Sequence, residues 1–182
     1  VSLTDVEQNV GCKGRVLFDD ASSRTYITKA LSKNLRLRPL TKKRGIINGA
    51  CATFTFAECD VVQLKVNTTD PNVQIVVTAS VIDEICKPIE GQGTFISTSE
   101  YPYLSGVEIS DFQSDNTPKS IDILIGGDYY YQFVMSVSKR PPIGRGPVAT
   151  LTAVGWVLGG PLVKDSSGES DNSSALFFAD HS

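Results

Sequence analysis

The feature that most constrains this chain is an apolar stretch that runs directly into two acids and small residues. The stretch from Arg15 to Thr28 reads R-V-L-F-D-D-A-S-S-R-T-Y-I-T. A second segment, from Ile121 to Asp128, reads I-D-I-L-I-G-G-D, so its apolar run ends at a glycine pair. Together they predict a strand, an acidic turn and a helix, followed much later by a strand, a glycine turn and a helix.

Composition excludes most other catalytic chemistries. The chain has 182 residues, of which 41% are hydrophobic, and this suits one domain with a core of ordinary size. Its single histidine, His181, stands one residue from the C-terminal end, where order is least expected. Ser-His-Asp and Cys-His catalysis therefore lack a base, and neither a P-loop nor a G-x-G-x-x-G segment occurs. If the chain catalyses a reaction, carboxylates have to perform it.

The sequence also predicts that the chain uses no metal, no cofactor and no membrane. Histidine-containing zinc sites lack their ligand, and the four cysteines show no C-x-x-C spacing. We expect free thiols rather than disulfides, because no segment resembles a secretion signal. No apolar run approaches the length that spans a bilayer. The cysteines are Cys12, Cys51, Cys59 and Cys86.

A basic cluster between residues 29 and 44 is the feature that bears on nucleic acid. It consists of Lys29, Lys33, Arg36, Arg38, Lys42, Lys43 and Arg44. A solvated helix face and loop is the favoured interpretation, and the net charge of −3 gives no global attraction to nucleic acid. We therefore expect no nucleic-acid partner. Contact with packaged RNA or with an acidic precursor segment is the alternative.

Short β-branched runs between polar breaks predict an all-β, barrel-like domain with one or two short helices. An amphipathic helix is predicted over residues 25–37 and a shorter one over residues 128–134. The Ser-, Asp- and Asn-rich tail, residues 164–182, is expected to be mostly disordered. The predicted strands are residues 14–18, 53–56, 61–66, 73–82, 121–125, 148–151 and 154–158, and the predicted inward side chains of the longer helix are Ile27, Ala30, Leu31 and Leu35.

The acidic turn fits an aspartic peptidase only if two chains combine. Such an enzyme needs two carboxylates about 3 Å apart that share one proton. Only Asp19 stands directly after a buried strand, so a symmetric homodimer would have to supply the second carboxylate. Taken alone, Asp19 and Asp20 also fit a turn or a helix N-cap. Likewise, Gly126 and Gly127 before Asp128 fit a simple strand-to-helix turn.

Six stretches of the chain resemble the aspartic peptidase domain of BEL/Pao-type retrotransposon polyproteins, a retropepsin-like family. The resemblance covers residues 14–163, and its last two stretches are the most specific. The stretches are R-V-L-F-D-D-A-S-S-R-T-Y-I-T-K-A-L, C-D-V-V-Q-L-K-V, E-I-C-K-P-I, Y-P-Y-L-S-G-V-E-I-S-D, I-D-I-L-I-G-G-D-Y-Y-Y-Q-F-V and G-P-V-A-T-L-T-A-V-G-W-V-L-G-G-P.

The resemblance implies a retropepsin-like acid-protease fold over residues 14–163, after an N-terminal extension of residues 1–13. It implies a homodimer in which Asp19 is the catalytic carboxylate. It also implies a strand and glycine packed behind the active-site turn, and a flap that closes over the substrate with Gly49 near its tip. The implied supporting residues are Leu124, Ile125, Gly126 and Asp128, which opens the next helix, and the implied flap residues are Ile47, Asn48, Gly49, Ala50 and Cys51.

The active-site turn departs from the family pattern, in which the catalytic Asp is followed by Ser or Thr and then by Gly. Asp20 and Ala21 occupy those two places here. Asp20 lacks the hydroxyl that normally bonds across the dimer, although Ser22 could partly replace it. The Ala21 methyl costs little free energy at a negative φ and about 1 kcal/mol or more at a positive one.

Two functions are compatible with these residues. The first is an aspartic endopeptidase that acts on its own precursor polyprotein, in the cytoplasm and within virus-like particles. The second is an inactive peptidase-fold module that serves dimerisation or peptide binding, and the Asp20-Ala21 pair motivates it. A β-rich ligand- or sugar-binding domain is a third class, but it explains neither of the two segments.

Overall fold

The computed structural model describes most of the chain and brings its two informative segments into one sheet. The described residues are 1–7, 10–48, 53–87, 101–107, 120–143, 146–161, 174–175 and 178–179. The strands are β1 Ser2–Asp5, β2 Gly11–Lys13, β3 Val16–Phe18, β4 Tyr26–Thr28, β5 Thr41–Asn48, β6 Thr53–Asn67, β7 Gln74–Ile82, β8 Ile123–Ile125, β9 Val134–Lys139, β10 Val148–Thr152, β11 Gly155–Pro161, β12 Ser174–Ala175 and β13 Phe178–Ala179. The α-helices are α1 Lys29–Asn34 and α2 Tyr130–Phe133, and a 3₁₀ helix covers Pro102–Leu104.

Two sheets organise these strands. The larger has the order β13-β3-β8-β4-β7-β6-β1-β2, with β5 paired to β6, and the smaller has the order β12-β11-β10-β9. Within the larger sheet, β8 lies between β3 and β4, parallel to β3 and antiparallel to β4. The described part of the chain is therefore mostly β, with two short α-helices. This confirms the predicted all-β, retropepsin-like fold class.

Burial of apolar side chains from both sheets forms the main core. The antiparallel pair β6 and β7 contributes alternating inward residues, as a half-buried strand requires. The core residues that bear on the site are Phe18 from β3, Ile125 from β8 and Phe133 from α2, all at most 3% exposed. The two segments predicted to matter for function therefore end in the same apolar core.

A smaller cluster joins the second sheet to the 3₁₀ helix. Tyr101, Leu104 and Ala149 are buried there, and Trp156 and Leu158 pack against them. Lys139 of β9 lies over the Trp156 ring and donates to the carbonyl of Ser105. These contacts pack the 3₁₀ helix on the smaller sheet, whose strand β9 follows α2 directly.

The predicted helix over residues 25–37 is too long. Its first residues instead form β4, which pairs with β7 and β8, because Tyr-Ile-Thr suits a strand between two others. The helix α1 begins at Lys29. Thr28 is its N-cap, because the Thr28 hydroxyl accepts a hydrogen bond from the Leu31 N–H. Ile27, Leu31 and Leu35 are buried as predicted, whereas Ala30 is exposed. The second predicted helix is also shorter, since α2 begins two residues after Asp128.

Other strand predictions hold in outline with different bounds. The runs predicted at residues 53–56 and 61–66 are parts of one strand, β6, because pairing with β5 and β7 continues through the polar residues between them. Residues 1–13 add β1 and β2 to the larger sheet, where β1 pairs with β6. In the tail, the described residues form β12 and β13, which pair with β11 and β3. The domain boundaries themselves stay predictions.

Cys12, Cys59 and Cys86 are free thiols in the structure, and Cys51 lies outside the described residues. Burial is the main cause that raises the pKa of the Cys12 and Cys86 thiols. Neither α-helix in the described ranges is long and apolar enough to cross a membrane.

Candidate active site

The acidic turn stands where β3 leaves the core. β3 and β8 run parallel, with Leu17 opposite Leu124 and Phe18 opposite Ile125. Asp19 follows Phe18 directly, and its N–H donates to the carbonyl of Ile125 over 3.0 Å. Parallel pairing places both strand ends at one edge of the sheet, so the acidic turn and the glycine turn lie side by side.

Backbone hydrogen bonds hold the acidic turn in shape. The Ala21 N–H donates to the Asp19 Oδ1 atom over 3.1 Å, and the Ser22 N–H donates to the Asp19 carbonyl over 3.3 Å. The Gly127 N–H donates to the Ser22 carbonyl over 2.7 Å, which ties the acidic turn to the glycine turn. Asp19 is half-buried, whereas Asp20 and Ala21 are exposed. The turn therefore presents one held carboxylate at the surface.

The helix N-cap interpretation of the acidic pair does not apply, because Thr28 caps α1. Ala21 fits its place without strain, because Arg36 is the only non-glycine residue with positive φ among the described residues. The Ser22 hydroxyl donates to the carbonyl of Arg24 over 2.8 Å within its own chain. Because its only proton is used in this bond, the Ser22 hydroxyl can accept a hydrogen bond across a dimer. It can donate one there only after the bond to Arg24 breaks.

Gly126 is the contact point between the two turns. A Cβ atom added there would lie 2.3 Å from the Arg24 carbonyl oxygen and 2.5 Å from its carbon. A Cβ at Gly127 would lie 3.3 Å from the Asp20 carbonyl oxygen, which a small adjustment relieves. The first glycine is thus required for close approach of the backbones, whereas the second is not.

Thr25 connects the two turns through its hydroxyl group. Thr25 is 1% exposed, and its Oγ1 donates to the Asp128 Oδ1 atom over 2.7 Å and accepts from the Gly126 N–H over 3.1 Å. The Thr25 N–H also donates to the Asp128 Oδ2 atom over 3.1 Å. Asp128 therefore binds Thr25, the residue just before β4, and does not cap α2, whose first turn has no side-chain cap. Sequence reasoning missed Thr25 because it placed this residue in a helix.

Tyr130 is a second residue near the acidic turn that sequence reasoning did not single out. Its ring lies edge-on to Phe18, with centroids 6.4 Å apart. Burial raises the pKa of the Tyr130 hydroxyl above its usual value, and the Asp20 carboxylate, the Tyr131 hydroxyl and the Asp19 carboxylate raise it further. Tyr130 therefore stays protonated beside the two acids. The Tyr-Tyr-Tyr run after the glycine pair was the available signal.

The predicted flap is only partly described. Ile47 and Asn48 end β5, and the backbone of Asn48 pairs with Thr53 at the start of β6, so β5 and β6 form a long antiparallel hairpin. Gly49, Ala50 and Cys51 lie outside the described residues. A hairpin at this place suits a flap, but the flap role stays a prediction.

An open groove of about 440 Å³ lies beside α2 rather than over the acidic turn. It is lined by Tyr130 and by residues of β9, β10 and β11, but not by Asp19. Across the described ranges, no group of three His, Cys, Asp or Glu side chains is arranged to hold a metal ion. The chemistry that the site itself offers is that of a carboxylate.

A comparison with known protein families assigns this chain to one of them. The family described as "Putative peptidase (DUF1758)" matches residues 2–167, which is nearly the whole chain. This chain belongs to the DUF1758 family. No curated protein and no solved structure matches it.

Membership of DUF1758 supports the function of a peptidase-like domain. In this chain the acidic turn carries Asp19, whose backbone N–H donates to the Ile125 carbonyl of the neighbouring strand, and the exposed Asp20. The matched range begins at residue 2 and so includes β1 and β2.

Proposed function

We propose that this chain is the aspartic endopeptidase of a retrotransposon polyprotein, active as a homodimer with one Asp19 from each chain. The observation that carries the proposal is the position of Asp19. It follows a buried strand, it is half-buried, and its own N–H is held by the Ile125 carbonyl of the glycine segment. The BEL/Pao resemblance of both segments supports the retrotransposon type.

In the proposed reaction the two Asp19 carboxylates share one proton, because like charges about 3 Å apart cannot both ionise. The ionised carboxylate takes a proton from a water molecule, and that water attacks the peptide carbonyl. The protonated carboxylate donates a hydrogen bond to the developing oxyanion. Proton transfer to the leaving amine then completes hydrolysis. The pair titrates as a unit.

Exposed apolar side chains that follow the glycine turn in the chain support the dimer. Tyr131 is 78% exposed, Val137 is 52% exposed and Met135 is 44% exposed. All three follow the glycine turn closely in sequence, and Tyr131 packs on Tyr130, which lies near the two acids. In the proposed dimer, contact with the second chain would remove such side chains from water.

Cleavage of a longer precursor that carries polypeptide on both sides of this domain tests the proposal. We expect the purified chain to cut this precursor at mildly acidic pH. At concentrations where most of the chain is monomeric, the dimer concentration falls with the square of the chain concentration, so a tenfold dilution should lower the cleavage rate about a hundredfold. Sedimentation at the same concentrations reports the dimer directly. Cleavage by a persistent monomer would exclude the shared site.

Replacement of Asp20 by serine is expected to preserve or increase the cleavage rate. Asp20 is exposed, and serine would restore the hydroxyl that the family pattern places next to the catalytic Asp. It would also remove a negative charge beside the dyad. The measurement is kcat/KM of Asp20→Ser against the original chain. A large loss of kcat/KM would show that Asp20 itself takes part in the reaction.

An inactive peptidase-fold module is the second candidate, and the Asp20-Ala21 pair is the observation that favours it. Ala21 itself causes no backbone strain. The case for inactivity therefore depends on the hydroxyl group that is missing at Asp20. This candidate predicts a dimer, or a peptide complex, without cleavage even after Asp20→Ser. The cytoplasmic location within virus-like particles, and the precursor as substrate, belong to the first candidate and follow from the retrotransposon resemblance.

A further inference from the structure

We infer that Thr25 is a positioning residue for Asp19, and that its hydroxyl, together with the Asp128 carboxylate, sets where the acidic turn sits. The part of this inference that concerns catalysis rests on the proposed function. The part that concerns the position of the turn rests on contacts within one chain. Both residues act through the backbone of the turn and not on the substrate.

The hydroxyl of Thr25 makes two hydrogen bonds through one oxygen atom. It donates its single proton to Asp128 Oδ1 and accepts the N–H of Gly126. A hydroxyl both donates and accepts, whereas an aliphatic group of the same shape does neither. Thr25 is 1% exposed, so water cannot easily replace these bonds.

Asp128 fixes the direction in which the Thr25 hydroxyl points. Its two carboxylate oxygens accept separately, one from the hydroxyl and one from the Thr25 N–H. The hydroxyl proton is therefore committed to Asp128, and a lone pair remains for Gly126. An asparagine at position 128 would turn its NH₂ group toward either the Thr25 hydroxyl or the Thr25 N–H. One of the two hydrogen bonds would then be lost.

The connection from Thr25 to Asp19 is short. Gly126, whose N–H Thr25 holds, stands between Ile125 and Gly127. The Ile125 carbonyl accepts the Asp19 N–H, and the Gly127 N–H donates to the carbonyl of Ser22 on the far side of the turn. Thr25 thus binds Gly126, which lies between the two residues, Ile125 and Gly127, whose backbone hydrogen bonds position the acidic turn.

Amide hydrogen exchange of Thr25→Val tests the inference without requiring activity. We expect exchange at the amides of Asp19 and Gly127 to speed up at least about tenfold, although neither amide bonds to Thr25. Thr25→Ser, which keeps the hydroxyl, should restore slow exchange. Thr28→Val is the matched control, because it removes another buried, hydrogen-bonded hydroxyl three residues away. It should destabilise α1 without a selective change at those two amides.

Cleavage kinetics provide the second readout. If the proposed function holds, Thr25→Val should lower kcat about tenfold to a hundredfold with little change in KM, and Thr25→Ser should recover most of it. If the chain cleaves nothing, the proposed function fails while the exchange result still decides the positioning role. The inference is overturned if Thr25→Val speeds amide exchange only at Gly126. It is also overturned if the exchange rates of the Asp19 and Gly127 amides are the same in Thr25→Val and Thr28→Val.

Discussion

Replacement of Asp19 by asparagine is expected to lower precursor cleavage at least about a thousandfold. In a symmetric dimer the substitution removes both carboxylates, so no group can take a proton from the attacking water. Asparagine has nearly the same shape, and it can still accept the Ala21 N–H through its side-chain oxygen. The fold and the dimer should therefore persist. Cleavage rate and sedimentation mass, measured on the same samples, separate loss of chemistry from loss of assembly.

Asp20→Asn is the matched control for this experiment. It makes the identical chemical change one residue later, on a side chain that is exposed at the surface of the turn. We expect it to retain cleavage within a few-fold of the original rate. If Asp19→Asn and Asp20→Asn were equally active, Asp19 would not be the catalytic carboxylate. If only Asp20→Asn were inactive, the roles of the two acids would be reversed.

Replacement of Gly126 by alanine is expected to destabilise the fold strongly, because the two turns leave no space for a methyl group between them. The added Cβ would lie 2.3 Å from the Arg24 carbonyl oxygen and 2.9 Å from its nitrogen, so the backbone of the acidic turn would have to move. Overpacking costs about 1 to 3 kcal/mol, and because the clash is with backbone atoms we expect about 3 kcal/mol here. For a chain of this size that corresponds to a fall in Tm of roughly 10 °C. Thermal unfolding followed by circular dichroism measures it.

Gly127→Ala provides the comparison for this stability prediction. Its Cβ would meet the carbonyl oxygens of Asp20 and Ser22 at 3.3 and 3.4 Å, which small shifts can relieve. We expect a loss within about 1 kcal/mol. Equal Tm values for the two variants would contradict the close approach of the backbones at Gly126.

The sequence was sufficient to predict the fold class and to single out the two segments that meet. Both segments are apolar runs that end at turn residues, and such runs are short buried strands in most contexts. Local pattern also predicted strands close to β7, β10 and β11, because apolar and β-branched runs bounded by polar or turn residues are typical of strands. The family match then agreed with the peptidase-like resemblance.

Contacts between distant segments were the part that sequence reasoning could not supply. Tyr26, Ile27 and Thr28 fit a helical period equally well, and only pairing with β7 and β8 makes them a strand. The role of Thr25 follows from the same pairing, since the hydroxyl reaches Gly126 and Asp128 only because β4 lies beside β8. Nothing local to Thr25 distinguishes it from the hydroxyl residues around it.

Mixing of chains tests most directly whether two Asp19 residues form one active site. With the original chain held at a fixed concentration at which it is dimeric, a tenfold excess of Asp19→Asn chain should lower cleavage about tenfold, because most original chains would then pair with an inactive partner. The same excess of Asp20→Asn chain should not lower it. Cleavage that stayed in proportion to the original chain, whatever the excess of Asp19→Asn, would contradict the shared active site.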